Sequence, residues 1–237
     1  MELDPNGVEG LVARGLIRNI FTWDRSGARA DLERAVALSP GDANAQRRLA
    51  QLMAVLGHVP EAIDIARTAV ELDPVSPEAL YQLGNLYNSV GQYALATQVL
   101  RKAMAIAPEH VLASRELAFT ELLDGRPAEA LSIFRAHHQE WVRNFGTALA
   151  QHSLGHDADS QAALDRLVAS SGKTAQYQIA VVHAWRDERD LAFEWLEKAR
   201  LGGDAGIQYV KHDPFLRSLR GDPRYAALLE KLKLPLD

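Results

Sequence analysis

The chain has 237 residues, with 26 Lys+Arg against 31 Asp+Glu and 47% apolar residues. That apolar share supports a folded core and excludes a disordered chain. The absence of cysteine removes disulfides, thiolate metal sites and a cysteine nucleophile. A formal net charge of −5 argues against a general nucleic-acid binder. No apolar run reaches the ~18 residues a membrane-spanning helix needs, and no signal peptide opens the chain.

The first phrase, Glu2 to Pro5 (E-L-D-P), repeats the words that close a unit at 71–74. We therefore expect residues 1–8 to be the tail of a preceding repeat or an artificial start, and the chain to be cut from a longer array. From there the sequence is periodic. Pro40, Pro74 and Pro108 are spaced by 34 residues, as are Gly57, Gly91 and Gly125, and Ala28, Ala62, Ala96 and Ala130. Between the prolines, apolar residues recur at three- and four-residue spacing, the mark of amphipathic helices. Leu49, Leu52, Met53 and Leu56 form one predicted stripe; Ile63, Ala66, Val70 and Leu72 form the next. The glycines end each first helix in the left-handed conformation, and the prolines close each second helix. The alanines sit where paired helices cross, a place where a larger side chain overpacks. Asp42 and Ser76-Pro77 supply N-caps.

A 34-residue helix-turn-helix unit with Leu83, Gly84, Tyr87, Gly91, Ala96, Ala103 and Pro108 resembles the tetratricopeptide repeat (TPR). The resemblance spans about 9–200. Repeats 1–4 cover 9–140, with Trp23 where the first repeat should carry glycine and His137 where the fourth should carry its second alanine. Degenerate units cover 141–200, where Gly155 arrives early and Ser160 replaces the usual alanine. Residues 201–237 read as a loop followed by capping helices, opened by Asp213-Pro214 and Asp222-Pro223 and closed by Tyr225, Leu228, Leu229 and Leu232 over the end of the stack. The expected architecture is an all-α, right-handed superhelical solenoid of about six repeats. The words at 23–28, 192–199 and 213–225 also resemble the C-terminal TPR regions of bacterial multidomain signalling proteins, among them winged-helix regulators, class III cyclases and kinases.

No motif for catalysis is present: there is no phosphate-binding glycine loop, H-E-x-x-H or G-x-S-x-G, and no enzyme activity or cofactor is expected. His152 and His156 lack a third metal ligand, so no metal site is expected. Arg217, Arg220 and Arg224 lie among acidic residues and read as a solvated, capped surface. The resemblance implies that first helices line a concave groove binding a protein or peptide. Carried over residue by residue, the groove set is Arg47, Gln51, Tyr81, Asn85, Asn88, Arg115, Phe119, Phe145, Tyr177 and Trp185, with Leu149 and Val181 between them. Asn pairs with peptide backbone, Arg with carboxylates, and aromatics anchor interfaces. Asn85 and Arg115 partly resemble a carboxylate clamp, but Tyr81 and Leu112 stand at its basic positions. The alternative for the aromatics is packing between helices. Two other functions stay open: self-association through an open end near Leu11, Leu16, Ile20 and Phe21, giving a homodimer, and small-molecule sensing by Phe145, Tyr177 and Trp185. The partner and the compartment are not legible; the cytoplasm is favoured, with the periplasm an alternative if the whole protein carries an anchor or signal.

Overall fold

The computed structural model describes residue 4 and residues 6–236; the opening phrase, apart from Asp4, lies outside them. Among the described residues there are thirteen α-helices and no strand. Twelve form six consecutive antiparallel pairs: α1 (Val8–Ile17) with α2 (Arg25–Leu38), α3 (Ala43–Leu56) with α4 (Val59–Leu72), and α5 (Pro77–Ser89) with α6 (Tyr93–Ile106). The series continues with α7 (Val111–Leu123) and α8 (Pro127–Ala136), α9 (Glu140–Ser153) and α10 (Asp157–Ser171), and α11 (Gln176–Trp185) and α12 (Arg189–Gly202). Each odd-numbered helix also meets the next odd-numbered one, so the odd helices form one continuous inner layer, as in a solenoid. None of these helices is long and apolar enough to cross a membrane.

The periodic residues do what their chemistry dictates. Asp42 accepts a hydrogen bond from the Ala45 N–H (2.8 Å) and Ser76 one from Ala79 (3.2 Å), satisfying N–H groups that a helix start leaves unpaired. Ala28, Ala62, Ala96 and Ala130 are wholly buried, and each lies in the second helix of its pair. At the matching place in the fifth pair Ser160 is equally buried, and its hydroxyl donates to the Ala148 carbonyl (2.5 Å), which removes the cost of burying a polar group there. His137, in place of alanine, is buried after α8 has already ended. One predicted stripe differs: Leu72 is 41% exposed, and Ala69 takes the buried place.

The turn inside each pair is made the same way six times. Gly57, Gly91, Gly125 and Gly155 have φ between +76° and +94°. Trp23 (φ +52°) and Asp187 (φ +59°) hold the same left-handed conformation without being glycine. In an L-residue that conformation costs roughly 1–2 kcal/mol. In the first pair a π-helical turn, Arg18–Thr22, leads into Trp23. The turn is therefore a property of the pair geometry, and glycine is only its easiest occupant.

After α12 the chain does not simply cap the stack. Two 3-10 turns, Ala205–Tyr209 and Pro214–Leu219, precede α13 (Pro223–Lys231). Asp213 caps the second of these turns and Asp222 caps α13, accepting from the N–H groups of Phe215 and Arg224. Side chains tie α13 to α12: Arg224 pairs with Asp190 (2.7 Å) and sits over the Phe193 ring, and Lys231 reaches Glu197 (3.2 Å). The segment before it crosses the inner layer. The Ala205–Tyr209 turn touches α11 and α3, the Lys211 side chain lies against Gly57, and His212 is buried. Arg217 donates to the Ser89 carbonyl (3.0 Å), 128 residues away in sequence. Phe215, Leu216 and Leu219 are buried.

Candidate functional site

The inner faces of α3, α5, α7, α9 and α11, with residues 204–215 on one side, border a partly open cavity of about 450 Å³. This size falls within the range of small-ligand sites. Nine of the groove residues expected from the sequence fall on its wall or in its roof contacts. The tenth, Asn88, is deeply buried, and its amide donates to Glu116 (2.8 Å) and Thr120 (2.9 Å).

The aromatic members belong to the packing. Phe119 lies edge-to-face with Phe145 (5.6 Å) and Phe215 (5.3 Å), and Phe215 with Trp185 (5.1 Å). Such geometry favours ring quadrupoles. Phe119 and Phe145 are less than one-tenth exposed. Tyr177 donates its hydroxyl to Asp213 (2.7 Å), and Trp185 its indole N–H to Ser153 (2.9 Å). Leu149 is fully buried; Val181, also buried, still borders the cavity. The roof that covers these rings comes from residues 204–215, so the chain itself supplies what their apolar surface needs.

The polar members stay on the cavity wall: Arg47, Gln51, Tyr81, Asn85 and Arg115, joined by Arg48, Glu116 and Tyr209. Asn85 donates to Glu116 (3.1 Å). Burial pushes the Glu116 carboxyl above its usual range despite the two Asn amides and the nearby Arg115, and it pushes Asp213 up in the same way. Burial also pushes the phenols of Tyr81 and Tyr209 up. His212, edge-to-face with Tyr209 (5.5 Å), is held down to about 4 because the interior disfavours its charged form.

The arginines are the unusual feature. Arg47 donates to Asn44 (2.8 Å) and Arg48 to Gln51 (3.2 Å), while Arg115 lies 5.8 Å from the Phe119 and Trp141 ring centres. Among the described residues none of the three has a carboxylate within 4.0 Å. The Nε groups of Arg48 and Arg115 are buried without a hydrogen-bond acceptor. An unpaired buried donor costs about 1–3 kcal/mol, more when charged. Desolvation lowers the affinity of Arg47 and Arg48 for their protons, and Arg47 is lowered further by Arg48 beside it.

Sequence reasoning missed Arg48, Glu116, Tyr209 and Asp213. Glu116 and Arg48 were within reach, since each neighbours a groove residue on its own helix. Tyr209 and Asp213 gave no signal, because only the fold brings them from near the chain's end back onto the inner layer. The remaining motifs resolve locally. His152 engages Asp157 (3.1 Å) and His156 engages Gln151 (3.0 Å). Arg217, Arg220 and Arg224 all bond within the chain. At the open end, Leu11 is wholly buried against the first pair and offers no surface, whereas Ile20 and Phe21 are exposed.

Comparison with known proteins agrees with this architecture. Two models described as "Tetratricopeptide repeat" match residues 24–86 and 77–110. A tetratricopeptide repeat protein from Parabacteroides merdae has the same fold, with TM-score 0.71 and 20% identity over 97% of this chain and 86% of that one. Pseudomonas aeruginosa pilF gives TM-score 0.60 and 19% identity over 85% and 95% of the two chains. A thermophilic TPR protein from Thermus thermophilus gives 0.62 and 17% over 81% and 98%. No curated protein matches in sequence. The fold is that of protein-interaction scaffolds, which are generally non-catalytic. Residues 24–110 therefore carry tetratricopeptide repeats, and the chain as a whole has the fold of the tetratricopeptide-repeat structures it resembles.

Proposed function

We propose that the chain is a non-catalytic interaction module whose concave face takes a segment of a partner protein at Arg47, Gln51, Tyr81, Asn85 and Arg115. The observation that supports this is the cluster of polar side chains left on the cavity wall after the chain's own segment has covered the aromatic part. Side-chain amides and guanidiniums serve a peptide's carbonyls and carboxylates. We place the module within a larger bacterial signalling protein, on the resemblance of residues 213–225 to the ends of such proteins. The test is capture of a partner by the parent chain beside an Asn85→Ala, Arg115→Ala double variant whose helicity is matched by circular dichroism. A partner held by the parent and lost by the variant supports the groove; a partner held equally by both places the contact on another face.

A second reading, small-molecule sensing, draws on a different observation. Residues 204–215 close one side of the groove, turning an open channel into a walled pocket of about 450 Å³, and walled pockets hold small ligands better than open grooves do.

A further inference from the structure

We infer that this cavity binds a small organic acid, its carboxylate held by Arg48 and Arg115 and its apolar body set against Phe119, Phe145 and Val181. The inference rests on the sensing reading and adds the ligand's chemistry.

Four carboxylates border the cavity, and each already has its partners. Glu116 accepts from the Asn85 and Asn88 amides. Asp213 accepts from the Tyr177 hydroxyl and the Phe215 N–H. Asp204 accepts from the N–H groups of Tyr177 and Gly206. Glu78 is at the exposed rim beside His110, 3.6 Å away. The guanidiniums are in the opposite state: none of the three has a counter-charge within 4.0 Å among the described residues, and two buried N–H groups have no acceptor. The unpaired buried polar atoms on the cavity wall are therefore the cationic Arg48 and Arg115 Nε groups and the uncharged Gln178 Oε1 and His212 Nδ1, with no carboxylate among them.

The two unmatched donors border the same cavity, with Tyr209 also on its wall. A carboxylate in that cavity can accept from guanidiniums, whose planar forks match its geometry. A neutral group of the same shape supplies the acceptor without the charge. Inorganic anions would satisfy the guanidiniums but leave unfilled the part of the cavity that Phe119, Phe145 and Val181 border. The recognised class is thus an acid with an apolar body.

The experiment uses the full chain and three aromatic acids, benzoate, phenylacetate and indole-3-acetate, beside their primary amides and inorganic phosphate. Thermal melts followed by circular dichroism and calorimetric titration read the binding. The expected result is saturable binding and a raised melting temperature with at least one acid, with neither its amide nor phosphate giving the same. Arg48→Gln and Arg115→Gln should each weaken that acid by about tenfold to a hundredfold, the worth of one charge-assisted hydrogen bond. The ligand-free Arg48→Gln protein should also melt no lower than the parent, because it loses a buried charge without a counter-charge; a purely structural arginine would lower it. Equal binding of acid and amide, or of phosphate, overturns the acid inference and leaves the pocket as a sensing site. No binding by acids or amides overturns both. Acid binding unchanged in both variants overturns the inference by placing the acid elsewhere.

Discussion

The two halves of the molecule are held together by different means. In the first half the core is aliphatic: Leu11, Leu32, Leu49, Leu52, Leu80, Leu83 and Leu100 with alanines at the crossings, and Tyr87 as its single buried aromatic among the described residues. In the second half buried rings join the aliphatic core: Phe119, Phe134, Phe145, Tyr177, Phe193, Phe215 and Tyr225. The first half recurs every 34 residues, because each pair needs only its neighbours. The second half departs from that period, because residues 205–234 return to pack against it and replace neighbour contacts by long-range ones. The difference teaches that a repeat sequence decays where something other than the next repeat covers its face.

The comparison breaks most directly at Phe215, which joins Phe119 to Trp185 across the boundary between the returning segment and the inner layer. Phe215→Ala should cost about 3–5 kcal/mol in urea unfolding. Hydrogen exchange should show the loss concentrated in α9–α12, with α3–α6 keeping their protection. Uniform loss across all six pairs would show that the halves unfold as one.

A second break is by pH. His212 is buried within the same segment and is held near 4, against an ordinary value of 6.5. Between those values the unfolded chain binds a proton that the native chain refuses, so stability falls as the pH drops through that window and is unaffected above it. Arg220 acts in the same direction on His212. The raised carboxyls of Glu116 and Asp213 act oppositely, their contribution being lost as pH rises through their folded values. The informative quantity is therefore the difference between the parent and His212→Asn. The parent should lose about 3 kcal/mol more than the variant between pH 7 and pH 4, measured by urea unfolding at each pH. Parallel curves would sink the assignment.

The smallest effect compares one helix position in the two halves. A Cβ at Gly84 would lie 2.6 Å from the Leu100 side chain, whereas one at Gly146 would lie 2.1 Å from the Phe134 ring. Leucine can turn aside and a packed ring cannot. Gly146→Ala should cost about 1–3 kcal/mol. Gly84→Ala should come out near zero, since helix propensity returns up to about 1 kcal/mol. Thermal unfolding of the two variants reads the contrast.

The candidate site was half legible. Arg47, Gln51, Tyr81, Asn85 and Arg115 sit on the inner face because helical spacing puts them there, whatever the rest of the chain does. The roles of Phe119, Phe145 and Tyr177 were not legible, because an aromatic on that face reads alike whether a partner or the chain's own tail covers it. Trp23 and Asp187 mislead in the other direction: neither letter announces a left-handed turn, yet the antiparallel pairing demands one and the residue yields.

What the sequence determined by itself is everything of short range: helix bounds from caps and breakers, the pairing from the 34-residue period, and the small residues at the crossings. Local hydrogen bonding and close packing act over a few residues, and so they leave their mark in consecutive letters. What only the tertiary structure decided is the path of residues 204–219 over the inner face, and with it the roofed cavity and the three arginines left without counter-charges. Those contacts join residues up to 128 apart, and their free energy depends on shape and burial, which no local pattern records.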